Sequence, residues 1–143
     1  VSKEFPKLRE DAIRLLQEEA ELQEIVQLVG VDALSFEDRI KLEACKSIRE
    51  DYLHQNAFHE IDTYSSLNKQ YLLIKLIMTY YNLSKDAISK GAPFNQLAAM
   101  PVREDIGRFK YVEEADTQKA YEDIINKLKD KISKLITEEG DEQ

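Results

Sequence analysis

The chain of 143 residues has only 4 glycines and 3 prolines, so it has few places to reverse sharply and must be built from a small number of long elements. Cysteine is limited to Cys45, which excludes an internal disulfide. Its place within an apolar-periodic stretch predicts a small buried hydrophobe rather than a reactive thiol. Basic charge is outnumbered. With 20 Lys and Arg against 28 Asp and Glu, the net charge is -8, which disfavours non-specific binding to DNA, RNA or an anionic membrane and favours a basic protein partner. No run of about 18 apolar residues exists, and the strongest stretch, Tyr71 to Met78, is broken by Lys75. A membrane span is therefore excluded, which points to a cytoplasmic or peripheral protein. The opening Val-Ser-Lys-Glu-Phe-Pro has neither an initiator Met nor a signal-peptide pattern, the expectation being a piece of a longer protein.

What is present is helical. Hydrophobic residues make up 43% and charged residues 34%, enough apolar material for one core and enough charge to argue against disorder. Leu8, Leu15, Leu22 and Val29 recur every seventh position, with Ala12, Leu16 and Val26 alongside, predicting an amphipathic helix that starts after Pro6 and ends at Gly30. Ser35-Phe36-Glu37-Asp38 reads as a capping box opening a second helix, whose buried face is Ile40, Ala44, Ile48 and Tyr52 with Leu53. So short a connection makes the first two helices an antiparallel hairpin. An irregular, aromatic segment follows from His54 to Ser66, then a hydrophobic helix over about 67–90 that stops at Gly91. Short helices are expected over 93–100 and 102–109. A last amphipathic helix carries Tyr121, Ile124, Ile125, Leu128, Ile132 and Leu135 before Glu-Glu-Gly-Asp-Glu-Gln frays into solvent. No segment alternates with period two. The fold class is all-α, a bundle of about four long helices with short ones, in one domain over residues 1–143.

Catalytic motifs are missing. None of Gly30, Gly91, Gly107 and Gly140 sits in the context a phosphate-binding P-loop requires, so the chain alone is not expected to hydrolyse ATP. His54, His59, Glu60 and Asp62 match no zinc or di-iron spacing. Glu18, Glu19, Glu21 and Glu24, like Lys127, Lys129, Lys131 and Lys134, read as solvated helix faces. Two features remain. One is the acidic hairpin tip Val31-Asp32-Ala33-Leu34-Ser35-Phe36-Glu37-Asp38, which carries Leu34 and Phe36 where polar turn residues would suffice; either it is a contact surface or these two staple the tip to its own helices. The other is Gln55-Asn56-Ala57-Phe58 with Tyr64, able to stack on a planar ligand or simply to pack.

Three stretches, LLQEEAELQEIVQLVG (15–30), REDYLHQNAFHEIDTY (49–64) and PVREDIGRFKY (101–111), resemble the C-terminal region of the catalytic A subunit of archaeal and vacuolar-type ATPases. ELQEIVQLVGVDALSFEDR is also similar to the segment of the F-type catalytic β subunit that holds its acidic rotor-contact loop, Asp-Glu-Leu-Ser-Glu-Glu-Asp. Ala33 and Phe36 stand where that loop has glutamates, so a less acidic and more apolar contact is implied. Ser65-Ser66 stands where many relatives carry proline.

The resemblance implies that a nucleotide-binding domain outside this chain supplies the P-loop and binds ATP or ADP with Mg, so no cofactor belongs to the fragment itself. It implies that Phe58, with Gln55, Asn56, Ala57 and Tyr64, meets the adenine. It implies that residues 32–38 meet the coiled coil of the central stalk, formed by the D subunit of such machines, and that their B subunit is a further partner. The alternative on residues alone is a stand-alone acidic helical adaptor for a basic or amphipathic helix.

Overall fold

A computed structural model describes residues 3–53 and 66–142, with side chains through Ile136. Helix α1 spans Glu4–Val29 and buries Phe5, Leu8, Ala12, Leu15 and Glu19. It begins earlier than the periodicity predicts: Pro6 lies inside its first turn, where a missing N–H has no intrahelical acceptor to lose. A turn over Val31–Ala33 leads to α2, Phe36–Ser47. Ser35 caps it by accepting the Asp38 N–H at 3.1 Å.

The pairing of α1 with α2 is antiparallel, as the pattern predicts. Lys41 meets Glu18 at 2.8 Å, the Cys45 thiol donates to the Leu15 carbonyl at 3.3 Å, and Arg49 pairs with Glu19. Glu18 and Glu19 therefore do not form the solvated face expected of them. The second leg brings a cation to each, and Glu19 is buried. The expected continuation of α2 also changes form, because Ile48–Leu53 is wound as a π-helix. The wider turn buries Ile48 and leaves Leu53 exposed rather than in the core-facing row.

Helix α3, Leu67–Ser89, is the spine of the fold and packs against α1, α2 and the last helix. Its apolar residues run nearly all round, including Leu72, Ile74, Leu76, Ile77 and Tyr80, which is the pattern of a helix enclosed by neighbours. Ser66 caps it, accepting the Lys69 N–H at 3.0 Å. Where relatives are expected to carry proline, this hydroxyl also donates to Glu114 at 3.1 Å. Lys69, only 2% exposed, points its ammonium at the Lys110 and Val112 carbonyls and at Glu114. A buried cation is held by oxygens from one connecting segment. At the other end Gly91 N–H bonds to the Ile88 carbonyl and Ala92 N–H to the Ala87 carbonyl, with Gly91 at φ 93°, a Schellman stop followed by Pro93.

Two short helices, α4 (Phe94–Ala98) and α5 (Val102–Arg108), close the bundle, and α6 spans Thr117–Glu142. Ile124, Leu128 and Ile132 of α6 are buried. Its backbone stays helical through Gly140 to Glu142 instead of fraying after Thr137. No strand occurs among the described residues, in keeping with the all-α expectation.

Candidate interaction site at the hairpin tip

The apolar stripe of α1 outruns the core that accounts for it. Phe5, Leu8, Ala12 and Leu15 are buried and Leu22 and Val26 are half-buried, but Val29, the last of the row, is 67% exposed, and Leu28, off the row, is 83% exposed. At 1.5 Å per residue, the continuously exposed end from Gln27 to Gly30 is an overhang of about 5 Å. Gly30 ends it at φ 90°, ψ 162°, a backbone setting in which an L side chain is strained. Val31 follows, also exposed.

The tip itself is divided. Leu34 is 7% exposed, so its side chain belongs to the fold and acts as a staple. Phe36 is 55% exposed and stacks on Phe94 of α4, with ring centroids 5.7 Å apart and planes 19° from parallel. The Arg39 guanidinium lies 5.1 Å from the Phe36 ring centre and 6.0 Å from that of Phe94, and reaches Asp32 at 3.4 Å. A cation thus holds the aromatic pair from one side while its charge is met by the turn.

The electrostatics are one-signed. No Lys or Arg occurs between Arg14 and Arg39, a stretch that holds Glu18, Glu19, Glu21, Glu24, Asp32, Glu37 and Asp38. Glu18 and Glu19 are answered by α2 and its π-helical extension, and Glu37 by an exposed pair with Lys85 at 3.5 Å. Glu21, Glu24 and Asp38 have no ion pair among the described residues and give the overhang its field.

Behind the tip the molecule is tied rather than open. Arg103 of α5 reaches Glu43 and Ser47 of α2 and the Ala98 carbonyl, with its guanidinium 4.9 Å from the ring centre of Tyr80. The Tyr80 hydroxyl donates to the Leu97 carbonyl at 2.8 Å. A concavity of about 360 Å³ beside this cluster is lined by Glu43, Asp51, Met100 and Gly107. Burial there pushes the Asp51 carboxyl above its usual range. Burial, with Glu19 nearby, pushes the Cys45 thiol up to about 12, which makes it inert.

Of the residues singled out in the sequence, Asp32 to Asp38 come together at one end of the molecule, and Leu34 turns away from the exposed surface. Gln55, Asn56, Ala57, Phe58 and Tyr64 lie outside the described residues. Val31, part of the tip as read from the sequence, is exposed; Leu28 and Phe94 were not singled out. Leu28 falls off the seven-residue row, and Phe94 joins the tip only through tertiary packing.

Residues 1–98 match the family model described as the C-terminal domain of V and A type ATP synthase. The chain belongs to that family. Among curated relatives, the V-type ATP synthase alpha chain of Acetivibrio thermocellus is 55% identical over 139 residues, covering 97% of this chain and 24% of the relative. Those of Thermoanaerobacter pseudethanolicus (54% over 136 residues; 95% and 23%) and Clostridioides difficile (50% over 143 residues; 100% and 24%) are similar. The chain thus spans about a quarter of the length of the curated relatives it matches. The family match ends at residue 98, the last of α4, whereas the alignments to the alpha chains extend beyond it and take in the sequence of α5 and α6.

Proposed function

We propose that all 143 residues form one unit, the helical lever of the catalytic subunit of a rotary ATP synthase or ATPase. The lever couples ATP binding and hydrolysis or synthesis in the rest of that subunit to rotation of the central stalk, and so to transport of protons or sodium ions. ATP or ADP with Mg is held by the nucleotide-binding domain, and Phe58 with its neighbours Gln55 to Ala57 and Tyr64 meets the adenine. The partners are that domain, the B subunit of the head and the D subunit of the central stalk, on the cytoplasmic face of the membrane. Among the described residues, no helix is long and apolar enough to cross a membrane.

One observation carries the reading: the acidic, apolar overhang of α1 and its turn, projecting from a bundle braced by α3 and by Arg103. Packed helices resist deformation, so motion imposed on the body arrives at the tip. The test is Leu28→Ser with Val29→Ser in the assembled complex. ATP hydrolysis is expected to continue while ions transported per ATP fall. Unchanged coupling overturns the lever.

A further inference from the structure

The tip does not end with α2. Phe36 is shared between the turn and the corner where α3 stops and α4 begins, and between them lies a concavity of about 390 Å³ lined by Phe36, Ile88, Gly91, Pro93 and Phe94. Its exposed lining is mainly apolar, in contrast to the charged surface around it. The corner is fixed rather than collapsible. The Schellman stop sets Gly91 and Ala92, Pro93 has one backbone setting, and the Arg39 guanidinium supports both aromatic rings.

We propose that this concavity is a socket for an apolar side chain of the stalk helix, whose neighbouring Lys or Arg residues meet the acidic overhang. The proposal rests on the lever reading and deepens it by adding Ile88 to Phe94 to the contact. Charge decides the occupant. Arg39 stands over the socket's aromatic rings and repels a cation there, whereas Glu24 and Asp38 have no ion pair among the described residues and Glu37 has only an exposed one with Lys85. An apolar residue flanked by basic ones on a helix satisfies both at once. A second copy of this chain would set acidic overhang against acidic overhang and is disfavoured.

The experiment measures binding of the full catalytic subunit to the purified central stalk, in three variants whose melting temperatures are compared with the parent. Phe94→Ala removes one wall, Asn95→Trp adds an exposed ring that plugs the mouth without deleting any packing, and Leu28→Ser with Val29→Ser disables the overhang. Phe94→Ala and Asn95→Trp are each expected to weaken binding about tenfold. If the overhang variant weakens binding and Asn95→Trp does not, the socket is refuted and the lever contact stands, whatever Phe94→Ala does. If none of the three weakens it, both readings fall.

Discussion

Arg103 donates to a Glu43 carboxylate oxygen at 2.6 Å, across 60 residues of sequence, and the same guanidinium reaches the Glu43 carbonyl at 2.9 Å. One planar fork thereby locks α2 to α5, and its two Nη groups also reach Ser47 at 2.9 Å and the Ala98 carbonyl at 2.7 Å. Arg103→Ala strips a partly buried carboxylate of its partner and is expected to cost about 3 kcal/mol of stability. Arg103→Lys is expected to recover only part of that, because an ammonium cannot supply parallel donors. Denaturant titration of the 143-residue chain, read as midpoint shift at constant slope, checks both.

Gly30→Ala meets no atom within 4 Å of the added methyl, so any cost is backbone strain alone. A loss of about 1–3 kcal/mol is expected in the same titration. A change of a few tenths would mean that the turn at the tip relaxes to another setting.

Alkali is expected to unfold this protein by a traceable route. Burial raises the Cys45 thiol from 9.0, and the Tyr80 hydroxyl from 10.0, each to about 12. The folded state thus keeps protons that the unfolded chain releases. Their contribution is fully present below pH 9.0 and is lost as pH rises, first through Cys45 and above pH 10.0 through both. Each group contributes a slope of up to about 1.4 kcal/mol per pH unit in its window. Stability measured against pH should therefore steepen in two steps, and Cys45→Val should remove the first.

Two leucines at this end of the molecule differ in what they do for the fold. Leu34→Ala deletes buried apolar volume and is expected to destabilise by about 2 kcal/mol, whereas Leu28→Ala, at a highly exposed site, should stay within about 0.5 kcal/mol. If Leu28→Ala proves as costly as Leu34→Ala by thermal or chemical unfolding, the overhang is packed in solution.

For nucleotide contact the test is Phe58→Ala in the full catalytic subunit. Loss of one aromatic contact of about 1 kcal/mol should weaken ATP or ADP binding about fivefold. Unchanged titration curves remove the adenine assignment.

Where the sequence is explicit, the fold follows it. Leu8 and Leu15, Ser35 as a cap, and Gly30 and Gly91 as stops are local signals, and each does what its spacing and backbone freedom predict. The failures share a cause. Glu19 is buried because Arg49 arrives from 30 residues away, Leu53 is exposed because the chain rewinds as a π-helix, and Val29 lies beyond any neighbour that could cover it. Phe94 as part of the tip has no sequence signal, since it depends on where α3 stops relative to α2. Tertiary placement decided all four.

The overhang of α1 has a consequence for how this chain changes over time. Leu28, Val29 and Val31 are exposed and contribute little to holding the bundle together, so substitutions there are scarcely screened by unfolding. On the proposed lever, each turn of exposed helix can drift in step with the partner surface, while the braced body behind it stays constant.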